Sequence, residues 1–475
     1  MKPIFNSKIF LFKIQKKRIP VIFIGYNLAC IMLLSACDTF VETDQPSSQL
    51  STPMVFESPT TATAAMVAIY AQLRSSTLLT GSPLGLSNQL GHYADELTFY
   101  GDSENSTFGL YTNSLLASNE AVATLWTSSY RVVYNTNAML EGIAASKSLS
   151  QDKVNQLTGE ALFVRALVHF YLVNLYGEIP YITTTDYRQN RVASRLPVAK
   201  VYELIIADLD KASSLLPKND ESGERVRPDQ YTAQALLARV YLFDEKWAEA
   251  SNAASAVLNN TATYALQDDL NTVFMNTSSS TIWQFSPFFY GSATEEGNLF
   301  IFTAGPPPFT ALSDALLNSF EPMDQRKISW TTAVSDGNKT WYYASKYKDN
   351  SSVSFSSEYS VVFRLEEQYL IRAEARARAG DLIGAKEDLN IIRNRAGLPN
   401  TTAISQDELL NAVVQERRVE LFTEHGHRFF DLKRYGKLDS ALSNKIGWNT
   451  TDALFPIPET ELLLNPNLSP QNLGY

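Results

Sequence analysis

Two stretches of this chain share one pattern, and it narrows the possible folds more than any other feature. They are ALLARVYLFDEKWAEASNAASAVL (Ala235 to Leu258) and YLIRAEARARAGDLIGAKEDLNIIR (Tyr369 to Arg393). Each reads as helix, short turn, helix. In the first, Ala238 and Tyr241 are followed by Trp247 and Ala250; in the second, Ala373 is followed by Gly380, Asp381, Leu382 and Ala385 at the same offsets. Small residues at fixed places let paired helices approach closely, which is the packing logic of helical-hairpin repeats of the tetratricopeptide kind. The two units lie about 135 residues apart, so they form no tandem array. Large insertions between helical pairs are expected, with two unrelated hairpins as the alternative.

The rest of the chain is read mainly as helix. SPTTATAAMVAIYAQLRSS opens on a Ser/Thr-rich cap region and sets Met66, Ile69, Tyr70 and Leu73 at helical spacing. Val122, Trp126, Tyr130, Val133 and Ala138 continue that spacing in the next segment. A long apolar stretch from Asn155 stops at Gly177 with Pro180 soon after, as a helix terminus should. Val201, Leu204, Ile205, Leu209 and Leu215 make the following helix amphipathic up to Pro217.

The amino-terminal segment reads differently. Lys2, Lys8, Lys13, Lys16, Lys17 and Arg18 precede an uncharged apolar run from Ile19 to Ala36, and no acid occurs among them. A basic head, an apolar middle and small residues at the end make an export signal over residues 1–36. The run ends Leu-Ser-Ala-Cys, which resembles a bacterial lipobox, with Cys37 as the lipid acceptor; an uncleaved anchor is the alternative. Three acyl chains on Cys37 exceed what lasting membrane attachment needs, because each buried CH₂ adds about 0.8 kcal/mol. Cleavage removes Cys30 with the signal and moves the formal net charge from −10 to −16. A chain left with one cysteine forms no internal disulfide, and its acidity argues against a nucleic-acid partner. Residues 37–55 have linker composition.

Residues 260–360 change character, mixing Ser, Thr, Gly and Pro with Trp283, Phe285, Phe288, Phe289 and Tyr290. Further on, ISWTTAVSDGNKTWYYASKYKD alternates like short strands around the turn SDGNK. Irregular loops carrying many aromatics suggest a recognition surface, while a small cap burying most of those rings is the plainer reading.

The lipobox, GEALFVRALVHFYLVNLYGEIPYI, ERRVELFTEHGHRFFDLKRYGKL and the closing LFPIPETELLLNPNLSPQNLGY together resemble the SusD/RagB family, in the same order along nearly the whole mature chain. The resemblance implies an all-α fold. Tetratricopeptide-like helical pairs, four in the family, would form a right-handed superhelical core beneath a loop-rich cap with short strands. The expected regions are 56–225, a helical amino-terminal part, and 226–475, a carboxy-terminal part with the aromatic insertion at about 260–360. It further implies a surface lipoprotein of Bacteroidetes, held in the outer-membrane lipid through Cys37 and facing the exterior. Such a protein captures oligosaccharide, or in some members peptide, and hands it to a TonB-dependent SusC-like barrel as a non-catalytic lid. No cofactor or metal is implied.

The residues agree with a binding role. No G-x-S-x-G, P-loop, H-E-x-x-H or EF-hand pattern occurs. His425 and His427 point apart if helical, and Arg417, Arg418, Glu420, Arg428 and Asp431 beside them read as structural ion pairs and caps. His169 lies in an apolar helical run and reads as core. Asp208 and Asp210 read as a solvated face, although 50 acids leave room for a facing carboxylate pair that a hydrolase would need. Sugar binding asks for aromatic faces beside planar polar groups. Two regions offer that mixture. Asp95 to Asn113 supplies Phe99, Tyr100, Asp102, Asn105, Phe108 and Tyr111, where the family often presents ligand contacts. The insertion supplies Phe288, Tyr290, Trp330, Trp341 and Tyr342. Trp126 and Trp247 keep helical register and read as packing residues. A protein-interaction scaffold is the remaining reading, but it would predict an aromatic-poor insertion.

Overall fold

The computed structural model of the protein describes residues 52–351 and 354–475, and Val55–Tyr475 form one compact unit. The export signal, Cys37 and nearly all of the 37–55 linker lie outside the described residues. The principal helices are α1 (Pro59–Ser76), α2 (Leu86–Tyr93), α3 (Glu120–Ala145), α4 (Gln151–Tyr176), α5 (Val198–Leu215) and α6 (Gln230–Phe243). They continue as α7 (Trp247–Leu258), α8 (Leu365–Arg378), α9 (Leu382–Arg395), α10 (Gln406–Glu420) and α11 (His427–Arg434). The strands are β1 (Leu97–Phe99), β2 (Thr281–Phe285), β3 (Thr310–Leu312), β4 (Thr331–Ser335), β5 (Thr340–Ala344) and β6 (Ser360–Arg364). They pair only two at a time, as β1–β3, β2–β6 and β4–β5. The fold is therefore mainly helical, with tetratricopeptide-like hairpins.

Local chemistry sets the helix ends. Ser58 caps α1 by accepting from the Thr60 N–H, and Asn119 and Ser150 cap α3 and α4 the same way. Helix α4 stops where Gly177 takes φ of +73°, at the residue the sequence marks. Met66, Ile69, Tyr70 and Leu73 of α1 are all buried, as their spacing requires.

Both repeated segments form hairpins, α6–α7 and α8–α9. Ala238, Ala250, Ala373 and Ala385 are fully buried where the paired helices meet. Their turns match as well: Glu245 and Gly380, at the same offset in the two repeats, take φ of +57° and +88°. Gly380 enters the left-handed region without strain, whereas Glu245 carries a side chain there. Helix α7 packs directly on α8, so the hairpins stack although 106 residues, 259–364, separate them in sequence. That insertion leaves and rejoins the helical stack through β2 and β6, which pair antiparallel and are buried along their whole length. Trp283 of β2 sits among Tyr70 of α1, Phe163 of α4 and Phe363 of β6. The expected junction at 225/226 lies in the loop joining α5 to α6, two helices that pack side by side.

The insertion has a hydrophobic core of its own around Phe274, Phe300, Leu316, Phe320, Trp330 and Tyr347, and it closes on Val419 and Phe422. A buried charge cluster joins it to the helices. Glu420, at the end of α10, accepts from Arg326 and Arg364 of the insertion at 2.9 and 2.6 Å and from Arg395 of α9 at 2.6 Å. Arg326 also meets Asp324 and Glu416, Arg364 also meets Glu424, and Lys346 donates to the Glu420 and Phe422 carbonyls. The other charged residues of this region are paired too: Arg417 with Asp431, and Arg418 and Arg428 with Asp95. The structural reading of these side chains therefore holds. His425 donates from Nε2 to the Val361 carbonyl, while His427 lies against Arg417; burial lowers the pKa of both rings.

Burial pushes the Glu420 carboxyl up, but Arg395, Arg364 and Arg326 outweigh it and hold its pKa well below the usual range. A depressed carboxylate pKa contributes stability above the unfolded value and loses it as pH falls. Glu420→Gln is thus expected to cost about 3–5 kcal/mol in urea unfolding at pH 7, since it leaves guanidiniums buried without their partner. The deficit relative to wild type should shrink as pH falls below about 4, where wild type itself loses this contribution.

Candidate functional site

The strand pair β1–β3 brings the two aromatic regions of the sequence together. Leu97, Thr98 and Phe99 pair with Leu312, Ala311 and Thr310, and the next ladder bond runs from Tyr100 N–H to the Phe309 carbonyl at 2.8 Å. Hairpin β4–β5 leans on this pair. Phe302, Ala311 and Trp341 form a small buried cluster, with Tyr100, Val334 and Tyr343 half-buried around it. The hairpin turn is held by Asp336, which accepts from the Asn338 and Lys339 N–H groups at 2.8 Å each. It carries the Lys339 ammonium to 5.8 Å from the Tyr100 ring centre and 5.5 Å from Trp341. Gly305 lies on the indole: a Cβ there would come within 2.2 Å of Trp341 Cζ3. The Trp341 indole N–H is buried with no hydrogen-bond partner among the described residues.

On the other side of Tyr100, the Phe99 ring contacts Phe309 (5.2 Å), Phe108 (6.1 Å) and Tyr111 (6.2 Å). His92 supports this cluster from beneath. Its Nδ1–H donates to the Asn88 carbonyl at 2.9 Å and its Nε2 accepts from the Thr310 hydroxyl at 3.1 Å. Burial lowers its pKa to about 3, so the imidazole is neutral and structural. Asp102 and Asn105 lie on the exposed loop that follows. Asp102 accepts from the Glu104 N–H, and Asn105 caps the short helix Ser106–Tyr111 by accepting from the Thr107 N–H. Phe108 is 37% exposed above them. The result is a wall in which Tyr100, Phe309 and Tyr111 are half-exposed and Phe108 more so, while Phe99, expected as a ligand contact, is buried behind them and Trp341 is buried too. The Lys339 ammonium, without an ion pair among the described residues, and a polar loop lie along its edge. Such a wall can stack on the C–H face of a flat ligand and offer donors and acceptors to its rim.

Not every expected residue belongs to it. Trp330 is fully buried, donates its indole N–H to the Leu270 carbonyl at 2.9 Å, and is surrounded by Phe274, Lys346, Arg364 and Arg395. It is a core residue and not a ligand contact; it closes the helix Gln325–Trp330 on the side facing the charge cluster. Tyr342, one residue beyond Trp341 on β5, faces the other way, toward the insertion core. Phe288 and Tyr290 are exposed, at 59% and 86%, but they stand elsewhere. Phe288 lies under Arg74 of α1 (5.2 Å) and against Phe289 (4.4 Å), and among the described residues neither ring touches the Tyr100–Trp341 wall. Lys339 and Phe309 were not singled out from the sequence. A lysine at a hairpin tip next to Trp341 is the only local signal for the first, and the β1–β3 pairing that exposes the second leaves none.

His169 is buried as expected, stacked on Tyr181 at 3.9 Å, and burial lowers its pKa to about 3. The carboxyls that burial raises to about 7, Glu96 and Glu296, are interior groups: Thr423 N–H reaches Glu96, and the Ser360 hydroxyl donates to Glu296. Among the described residues no group of three or more His, Cys, Asp or Glu side chains is placed to hold a metal ion, and no helix is long and apolar enough to cross a membrane. Truncating Trp330 to alanine is expected to cost about 3–5 kcal/mol in denaturant unfolding, in keeping with a large buried ring. A loss below about 1 kcal/mol would return it to the surface.

Residues 40–242 match a family model described as "Starch-binding associating with outer membrane", and residues 326–475 match the model of the SusD family. "SusD-like protein P2" of Formosa agariphila is 28% identical over 417 residues, covering 75% of this chain and 81% of its own length. Two solved structures share the fold. A "laminarin binding SusD-like protein" superposes with a TM-score of 0.73 at 24% identity, covering 88% of this chain and 99% of the other. A SusD-like carbohydrate-binding protein from Bacteroides fragilis gives 0.75 at 19% identity, covering 87% and 99%. With both family models together spanning most of its length, the chain belongs to the SusD/RagB family.

Proposed function

We propose that this protein is a lipid-anchored outer-membrane lipoprotein that binds oligosaccharide at the Tyr100–Trp341 wall. It releases the ligand unaltered to a TonB-dependent, SusC-type barrel. The observation that carries this reading is the convergence of Tyr100, Trp341 and Lys339 from segments 240 residues apart, beside the Asp102–Asn105 loop. Tyr100 is the ring best placed to stack, since Trp341 is covered by Gly305 and supports it from behind. Phe108 and Tyr111 add half-exposed rings, packed on Phe99, which is itself buried. Asp102 and Asn105 each keep polar atoms on the exposed loop, where sugar hydroxyls would find them. Two structural relatives carry carbohydrate or laminarin binding in their descriptions, which favours a glycan. Cys37 supplies the attachment to lipid, and the barrel partner comes with the family reading.

Calorimetric titration of the full chain in detergent tests the binding claim. The panel is laminari-, malto- and xylo-oligosaccharides together with mixed peptides, each recovered by chromatography afterwards. Saturable binding of one oligosaccharide class, with the ligand recovered whole, is the expected result. Tyr100→Ala should weaken that affinity by roughly tenfold, the loss of one stacked ring. Cleaved sugar, binding of peptides alone, or an unchanged affinity in Tyr100→Ala would contradict the assignment.

The anchor has its own test. Cys37→Ser should move the protein from the membrane to the soluble fraction on cell fractionation while leaving oligosaccharide affinity within about twofold. Retention in the membrane would speak for an uncleaved apolar anchor instead.

A further inference from the structure

A second concave site lies on a different part of the helical stack, and no residue of the Tyr100–Trp341 wall lines it. It is a cavity of about 560 Å³ between α3, the segment 180–193 and the carboxy-terminal segment 461–468. That volume falls within the roughly 300–1,000 Å³ of small-molecule sites. Helix α3 presents Trp126, Tyr130 and Tyr134 to it, spaced four residues apart and so aligned in one stripe. Trp126 is buried at the floor, its ring 4.9 Å from that of Tyr130. Tyr134 and Tyr187, from facing walls, are 49% and 71% exposed at the mouth.

The walls are fastened to each other. Tyr130 donates its hydroxyl to the Pro180 carbonyl at 2.8 Å, fixing α3 to the second wall. Asn465 and Asn467 donate to the Ala193 and Val192 carbonyls at 2.8 Å, fixing the third wall to the second. Asp186 caps the short helix that carries Tyr187 by accepting from the Arg188 N–H at 2.9 Å. The cavity is therefore preformed, which reduces the ordering cost of filling it.

Of its polar lining side chains, Thr127, Thr185, Asn190 and Asn465 are hydrogen-bonded within the fold, which leaves Glu461, Arg191, Tyr134 and Tyr187 to meet a ligand. Glu461 makes no ion pair among the described residues, and burial pushes its carboxyl above the usual range, with the nearby Trp126 indole N–H opposing the shift. The Arg191 guanidinium and the Tyr134 and Tyr187 hydroxyls have no hydrogen-bond partner among the described residues either. A carboxyl, a guanidinium and two phenols around aromatic faces are the complement of a pyranose, whose C–H face stacks while its hydroxyls both donate and accept. An apolar peptide side chain would use the rings but offer no polar partner to the half-buried Glu461 carboxyl or the Arg191 guanidinium.

We propose that this cavity is a second carbohydrate-binding site, taking one or two pyranose residues of an oligosaccharide between Tyr134 and Tyr187 with hydroxyls directed to Glu461 and Arg191. It shares with the proposed function only the premise that the chain binds sugars, and stands on separate residues. Two sites on one chain would let it hold a long glycan at two points, or two glycans at once, raising avidity without tightening either site.

The test uses the full chain in detergent, labelled with 5-fluorotryptophan, with the Trp126 and Trp341 fluorine signals assigned from Trp126→Phe and Trp341→Phe. Each is followed during titration with laminari-, malto- and xylo-hexaose and with mixed apolar peptides. The expected result is a saturable shift of both signals by an oligosaccharide. Tyr187→Ala, a change at an exposed position, should weaken the affinity read at Trp126 by roughly fivefold to tenfold and leave that read at Trp341 within about twofold. A Trp126 signal that stays still while Trp341 moves would overturn the second site and leave the first. So would a shift driven only by peptides, or one that survives Tyr187→Ala unchanged. A response at Trp126 with none at Trp341 would support this site and count against the first. Silence at both signals overturns both.

Discussion

Three arginines converge on one buried carboxylate, and the architecture depends on that meeting. Glu420 is fully buried at the end of α10, and without Arg326, Arg364 and Arg395 its charge would be far too costly to keep there. Two of the three come from the insertion and one from the helical stack. The cluster therefore acts less as a source of net stability than as a registration device. A well-packed apolar substitute could be as stable, but it would not specify which face of the insertion meets which helix. The pairs are shared across the boundary, with Glu420 of α10 meeting Arg326 and Arg364 of the insertion and Arg395 of α9. Lys346 adds a further tie, donating to carbonyls just past the helix end.

The consequence is positional. The insertion is fixed at its neck by the β2–β6 pair and along its inner side by the Glu420 cluster, with Trp330 and Phe422 filling the space between. Its outer part, hairpin β4–β5, is then free to lean on β1–β3 and set Trp341 and Lys339 beside Tyr100. A loop-rich recognition face of this kind needs a rigid support, because loops alone leave the contact geometry loose. Here the support is a helical stack interrupted between two of its own hairpins.

Much of the fold was legible in the sequence because it rests on local rules. Ala238, Ala250, Ala373 and Ala385 mark the close helix approaches, and Gly177 marks a helix end, each by residue type and spacing alone. The turn SDGNK between alternating residues announced β4–β5. The site was less legible because it depends on contacts between distant segments. Trp330 and Trp341 stand eleven residues apart in similar company, and only the tertiary fold separates the core ring from the one behind the wall. Trp126 was assigned to packing by its register, and it is indeed buried. That it also floors a cavity follows from the chain end returning over α3, more than 330 residues later, which no local pattern encodes.

The most direct measurement is a crystal structure of the protein with a bound oligosaccharide that has been shown to bind in solution. The expected result is a sugar ring stacked on Tyr100, with Lys339 moved off the ring or hydrogen-bonded to a hydroxyl and the Glu420 cluster unchanged. Sugar bound only at the Phe288–Tyr290 loop, with the Tyr100–Trp341 wall empty, would contradict it.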